Sequence, residues 1–461
     1  MKRLAALLLT SWTLLFGLEG QLSVPFTQFK LDNGLQVILH EDHSLPIVSV
    51  NILYHVGSAR EKPGRTGFAH LFEHLLFQES GHVPKGMFEE WLEAVGGSNN
   101  GGTGFDKTVY WEDIPTNALE LALFLESDRM GYLLDVVSPD MVDLQREVVL
   151  NERRQRYENR PYGMAYFTLF EQLHPVNHPY HWMPIGYPED LIAASHEDVI
   201  EFYSRYYGTN NASLVVAGDI NTEEAKDLVT HWFSDVPKGS PVQPLEISEA
   251  YLCEEKRPIL EDQVQLPRLY MAWVTPALFQ PGDAEMDILS SILSGGKNSR
   301  LYKRLVYELQ IAQDVSAFQN SLKESSVFVI VATARSGRTL DELETVILEE
   351  LDRVKTEPPT EREVQRTVNQ YEASFLRSLE RVGGFSGKAD QLNSYYFYTG
   401  QPDYFDEDLA RYKAVTPEAV TEVTSTYLRN NCRVVLSVVP TGQTELAARG
   451  PDAATTNEEE K

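Results

Sequence analysis

At 461 residues the chain exceeds what one ordinary core serves, and a usual ~100 to 200 residues per domain points to two or three domains. With 68 acidic against 40 basic side chains the net charge is -28, which excludes a nucleic-acid binder and favours a soluble protein, one that would draw cationic peptides if the acid lines a cavity. Two cysteines, Cys253 and Cys432, exclude a disulfide framework and a cysteine zinc site, although they could pair with each other in an oxidising compartment.

In chain order, residues 1–20 read as a signal peptide: Lys2 and Arg3, an apolar run over 4–18, and Gly20 as a small residue suited to cleavage. No second apolar stretch approaches the ~20 residues of a membrane span, so the mature chain is expected to be periplasmic or secreted, without an integral membrane span. Next, "FTQFKLDNGLQVILHEDHSLPIVSVNILYHVG" alternates apolar and polar residues around Asp32-Asn33-Gly34, the signature of a hairpin followed by a further strand. Helical patterns fill residues 68–235, broken by a Gly- and Asn-rich stretch over 96–104 and a strand-like "TVYWEDI".

The stretch "SHEDVIEFYSRYYGTNNASLVV" from Ser195 is echoed 221 residues later by "TPEAVTEVTSTYLRNNCRVVLS" from Thr416. Each copy opens on a hydroxyl suited to cap a helix and ends in a Val/Leu-rich strand. The repeat predicts an α+β fold of two homologous domains, residues 21–236 and 251–442, each a mainly antiparallel sheet covered on one face by helices. The Pro- and Gly-bearing residues 237–250 read as the linker and 443–461 as a disordered tail.

In "GFAHLFEHLLF", residues 67–77, Phe68, Leu71, Phe72, Leu75 and Leu76 form the core stripe of a helix. His70, Glu73 and His74 then share another face, where two histidines at i and i+4 reach one ion and the glutamate projects beside them. This is the H-x-x-E-H pattern, with the histidines as zinc ligands and the glutamate as general base. A catalytic zinc needs a third protein ligand and an open position for water. In "SPDMVDLQREVVLNERRQRYENRPYG" the row Met141, Leu144, Val148 leads to Glu152 one turn later. Glu152 there either is bound to a metal or a cation, or stands where the helix runs out into solvent.

"HLFEH" followed by "REVVLNE", with Glu152 lying 78 residues after His74, resembles the pitrilysin-type, or inverzincin, metallopeptidases. The likeness is to their roughly 450-residue bacterial subunits and to the β subunit of mitochondrial processing peptidase. It extends through "GGSNNGGTGFDKTVYWEDIP", "HPYHWMPIGYPEDL" and "GGKNSRLYKRL". The resemblance implies a pitrilysin-like fold of two homologous domains, a Zn2+ cofactor held by His70, His74 and Glu152, and Glu73 as the catalytic base. It also implies an edge strand at Asn99 and Asn100 that binds an extended peptide substrate, with Gly101 where alanine is common. The second copy, "DAEMDILSSIL" at 283–293, has no histidine, so one metal per chain is expected.

Two departures stand out. Gln145 replaces a second glutamate seven residues before the ligand glutamate, so it can hydrogen-bond near the metal but neither carry charge nor relay a proton. In the second half, Val306 and Gln313 fall where complete relatives carry an arginine and a tyrosine that polarise the substrate, and Arg304 lies on the wrong face to substitute. The reading that follows is an exported zinc metalloendopeptidase acting on extended peptides or small unfolded proteins. It would be the metal-bearing half of a heterodimer whose paralogous partner supplies the Arg/Tyr pair, or a homodimer. No G-x-x-x-x-G-K-[ST] loop is present, so no nucleotide is expected. The alternative is a non-catalytic structural or peptide-binding subunit of the same fold.

Overall fold

Two strands set the architecture, because the apolar runs "ASLVVAG" and "VVLSVVP" are buried along their whole length. A strand buried on both sides needs a sheet covered on both faces. The computed structural model describes residues 22–245, 247 and 254–450; the signal-peptide segment and Cys253 lie outside them, so the Cys253–Cys432 pairing lies outside them too. Cys432 itself is buried.

The first half holds β1 (Thr27–Lys30), β2 (Gln36–Glu41), β3 (Ile47–Tyr54), β4 (Ser98–Thr103), β5 (Thr108–Pro115) and β6 (Ala212–Gly218) in one sheet of order β1-β2-β6-β3-β5-β4. Its helices are α1 (Phe68–Leu75), α2 (Met87–Ala94), α3 (Leu119–Tyr132), α4 (Pro139–Arg153), α5 (Ala165–Leu173), α6 (Pro188–Ala193), α7 (His196–Tyr206) and α8 (Thr222–Phe233). The second half holds β7 (Ile259–Asp262), β8 (Arg268–Thr275), β9 (Ala312–Asn320), β10 (Ser326–Ala334) and β11 (Val434–Pro440), ordered β7-β11-β8-β10-β9. With it go α9 (Asp283–Ser294), α10 (Leu340–Thr356), α11 (Glu361–Ser378), α12 (Lys388–Thr399), α13 (Phe405–Lys413) and α14 (Pro417–Tyr427). Pairing is antiparallel except at β2–β6 and β7–β11. The repeat is visible as α7–β6 and α14–β11, whose helices are capped by the Ser195 and Thr416 hydroxyls.

Side-chain alternation along the strands sorts the sheet faces. Val37, Leu39, Leu214 and Val216 join the core beneath the first half's own helices, whereas Ile38, Val215 and Ala217 point to the opposite face. That opposite face is covered by Ala389, Leu392 and Tyr395 of α12, which comes from the second half. The exchange is reciprocal: Ala165, Leu169 and Phe170 of α5 pack on Ala272, Val329, Val434 and Leu436 of the second sheet. Sequence reading expected helices on one face of each sheet; each sheet has a second cover, donated by the other half.

The tail boundary also differs from expectation. Residues 443–450, read as disordered tail, pack on the second core through Ala447 and Ala448, and the Ala448 N–H donates to Ser437 Oγ at 3.0 Å. Residues 451–461 lie outside the described residues. Among the described residues no helix is long and apolar enough to cross a membrane.

Candidate metal centre

Helix α1 starts in a tight place. Gly67 precedes it at φ 86°, and a Cβ on Gly186 would lie 2.4 Å from the Gly67 backbone, so both positions favour glycine. Four N–H groups at a helix start lack intrahelical acceptors. Buried Glu61 meets part of that need: it accepts from the N–H of Gly67 and of Ala69, both at 2.9 Å, and from Trp182 Nε1 at 3.1 Å. Below this start Phe68, Leu71, Phe72 and Leu75 enter the first core, as the periodicity predicts.

The free face of α1 meets α4. His74 Nε2 lies 3.1 Å from Glu152 Oε2 and His70 Nε2 lies 3.7 Å from the same oxygen. All three ligand atoms fall within 4.8 Å of one another. Bonds of ~2.1 Å to a tetrahedral zinc would set ligand atoms ~3.4 Å apart, so the cluster has the spacing and the two-nitrogen, one-oxygen donor set that suit zinc with one open position. The other carboxylate oxygen, Oε1, is held by Arg156 Nη1 at 2.7 Å. Thus one oxygen faces the histidines and the other is neutralised from outside.

The protonation preferences agree with metal binding. Burial, then His74, pushes the His70 imidazole down to about 4, so it is neutral and can donate a lone pair. Burial pulls Glu152 up, but the His74 hydrogen bond, His70 and Arg156 outweigh it and hold the group below the ordinary carboxylate range. Glu73 goes the other way, raised by burial against the pull of the nearby Thr103 hydroxyl and of His74. Its Oε2 is buried with no protein partner among the described residues, as is His70 Nδ1. A raised carboxylate beside a candidate water site has the character of a general base.

Gln145 is buried two turns before Glu152. The row that turns inward on α4 is Met141, Gln145 and Val149, whereas Leu144 and Val148, assigned to the stripe by sequence, are exposed at 47% and 40%. Both rows begin at Met141 and reach Glu152 at helical spacing, so periodicity alone does not separate them. Packing against α1 selects the one that carries the glutamine.

Asn99 and Asn100 lie on β4, an edge strand bonded only to β5 among the described residues. A Cβ at Gly101 would press on Phe77 and Tyr110 at 3.0 Å, which fixes that residue on the α1 face together with Thr103 near Glu73. In the second half Val306 packs against the second core and Gln313 is exposed. Arg304 is engaged by Glu308, Glu349 and Glu350 at 3.4 to 3.6 Å. Sequence reading passed over Glu61 and Arg156. The i,i+4 spacing of Glu152 and Arg156 was a usable signal, whereas Glu61 acts through a fold contact that no spacing reveals.

Comparison with known proteins gives the following. A family model described as "Insulinase (Peptidase family M16)" matches residues 36–168, and one described as "Peptidase M16 inactive domain" matches residues 193–371. Zinc protease PqqE of Helicobacter pylori is 30% identical over 364 residues, covering 77% of this chain and 81% of that protein. The probable mitochondrial-processing peptidase subunit beta of Arabidopsis thaliana is 23% identical over 438 residues, or 91% of this chain and 79% of that one. The crystal structure of a protease from Helicobacter pylori matches with a TM-score of 0.85 and 26% identity, covering 91% of this chain and all of that one.

Proposed function

This chain belongs to the M16 peptidase family, and from that premise we propose that it is an exported zinc-dependent endopeptidase that hydrolyses extended peptides or small unfolded proteins. The observation that carries this reading is the buried carboxylate of Glu73 beside the His70, His74 and Glu152 cluster.

A zinc ion at His70, His74 and Glu152 would act as a Lewis acid toward a water molecule and the scissile carbonyl. This chain's own groups do the rest. Strand β4 adds the peptide by main-chain hydrogen bonds along its free edge, with Asn99 and Asn100 on the binding strand. Glu73 takes the proton of the attacking water and delivers it to the leaving amine, a transfer favoured by a base whose burial has raised its proton affinity. Neutral His70 remains available as a donor with His74 beside it, and Arg156 keeps Glu152 Oε1 out of the cluster.

The polarising arginine and tyrosine belong to a paralogous partner, because Val306 is packed away and Gln313 lacks the chemistry. The chain therefore acts as the metal-bearing subunit of a heterodimer. The basic start at Lys2 and Arg3 and the apolar run over 4–18 support a location in the periplasm or the exterior.

The deciding experiment measures zinc content and hydrolysis of quenched fluorescent peptides by the mature chain, alone and mixed with a relative carrying the Arg/Tyr segment. Glu73→Gln is expected to retain one zinc and lose about 100-fold or more in rate. Full activity in that variant, or no turnover by the wild type in any mixture, would rule out the catalytic reading. Turnover equally fast without the relative would rule out the heterodimer.

A further inference from the structure

The loop that follows α11 crosses to the first half and lies on the face of β4 and β5 away from α1. A Cβ on Gly102 would stand 3.2 Å from the Phe385 ring, and Phe385 meets Trp111 edge to face with centroids 5.8 Å apart. Gly383 packs so closely against the Asp113 carboxylate that a side chain there would have to displace it. The loop holds itself in shape: Lys388 N–H donates to Arg381 O at 2.9 Å, Ser386 N–H to Asp390 Oδ2 at 2.8 Å, and Gln391 Nε2 to Ser386 O at 2.7 Å. Ser386 adopts φ 62°, a left-handed conformation that L residues rarely take. A closed loop with this strain displays a phenylalanine that stays 42% exposed. Backbone strain of this kind concentrates at binding and catalytic sites.

Between this loop and the β4–β5 turn is a cavity of about 350 Å³. Val109, Leu322, Phe385 and Tyr398 give it apolar walls. Lys107 and Asp390 also line it; the Lys107 ammonium donates to Ser394 Oγ at 2.5 Å, and Asp106 and Asp390 offset its charge. The cavity begins at Gly102 and Thr103, so it opens at the free edge strand within one residue of the strand position that faces Glu73. A peptide paired with β4 points successive side chains to opposite faces. One neighbour then meets the metal face and the next meets Phe385.

We propose that this cavity is a side-chain subsite that takes a large apolar residue of the peptide paired on β4, adjacent to the scissile bond and on the sheet face opposite the metal cluster. Phe385 is its selecting wall, and Gly102 leaves the room that the incoming side chain needs. The inference rests on the peptidase reading above. Lys107 is outnumbered by Asp106 and Asp390, so an acidic occupant is disfavoured, and the lysine already offsets much of what a basic occupant would gain, whereas the walls reward apolar area.

The test uses the zinc-loaded full mature chain carrying Glu73→Gln, so that peptides bind without being cut, alone and mixed with a relative carrying the Arg/Tyr segment, and reads fluorescence anisotropy. The probes are capped peptides of one scaffold with Gly, Leu, Phe, Glu or Lys scanned through each position. Tight binding of Leu and Phe at a single position, lowered about 10-fold by adding Phe385→Ala and restored for at least one of them by Phe385→Leu, is expected. Gly peptides should be unaffected by either change. An equal effect of Phe385→Ala on all peptides, no effect on any, or a charged residue preferred at that position would overturn the subsite while leaving the peptidase reading intact. Absence of binding for every peptide, with the relative present as well as without it, would overturn that reading, and the subsite with it.

Discussion

Glu152 divides its two oxygens between jobs: Oε2 faces both histidines while Oε1 is held by Arg156. Arg156 is 66% exposed, and exposed ion pairs are commonly worth less than ~1 kcal/mol. Its partner, however, is only 14% exposed, and groups that orient a metal ligand typically account for ~10 to 100-fold in affinity. Arg156→Ala is therefore expected to weaken zinc binding about 10-fold in competition with a chromogenic chelator, with Arg156→Lys intermediate. An unchanged affinity would make Arg156 a solvated surface charge. His70, Glu73 and His74 were legible in the sequence because ligands at i and i+4 are fixed by helix geometry alone. Glu152 was legible only in part, since its place opposite α1 depends on how two helices meet.

At the scale of elements, the motif helix has eight residues, too few to be stable by propensity, so its start matters. Glu61→Ala would leave the Gly67 and Ala69 N–H groups buried without their acceptor, at ~1 to 3 kcal/mol each, while Trp182 Nε1 keeps the Ser58 carbonyl at 3.2 Å. A loss of at least about 2 kcal/mol in urea denaturation is expected, with weaker zinc binding, and Glu61→Gln should recover part of both. A second element-scale prediction concerns α9 and α13. Burial pushes the Asp287 carboxyl up to about 7, helped by Asp283 and Asp408 and opposed by the Tyr412 hydroxyl and Arg411. Tyr412 Oη donates to Asp287 Oδ2 at 2.6 Å. Because the folded value lies above the unfolded one of 3.8, this contribution is fully present below pH ~4 and is lost as pH rises to ~7. Asp287→Asn should therefore gain stability relative to wild type as pH rises from 4 to 7, read as the difference in thermal midpoint. A constant difference across that range would refute the assignment. The legible elements were those with local signals, such as the Asp32-Asn33-Gly34 hairpin and the capped helices at Ser195 and Thr416. On α4 the signal was ambiguous, because Leu144 and Val148 are apolar yet face outward.

The whole molecule is tied together by the exchange of α5 and α12, which the sequence announced only obliquely. Seven consecutive buried residues in β6 and in β11 state that both sheet faces are covered, but nothing in them names the covering helix. Asn393 on α12 makes that choice specific. Its Nδ2 donates to Asn51 Oδ1 at 2.7 Å and to the carbonyls of Asn51 and Ser213 at 3.1 Å, and Ser213 Oγ donates to Asn393 Oδ1. A half lacking its partner would expose Ile38, Val215 and Ala217 on one sheet, or Ala272, Val434 and Leu436 on the other. The halves should therefore behave as one cooperative body despite being homologous domains. A protease site placed within residues 246–253 and cut after folding should leave the two pieces co-eluting, with a single urea transition. Asn393→Leu should lower that transition by ~2 to 4 kcal/mol, since it orphans buried acceptors as well as losing its own bonds. Separation of the nicked halves under native conditions would mean that the linker, rather than the exchanged helices, holds β4 and the Phe385 loop in register, and the subsite between them would then depend on chain connectivity.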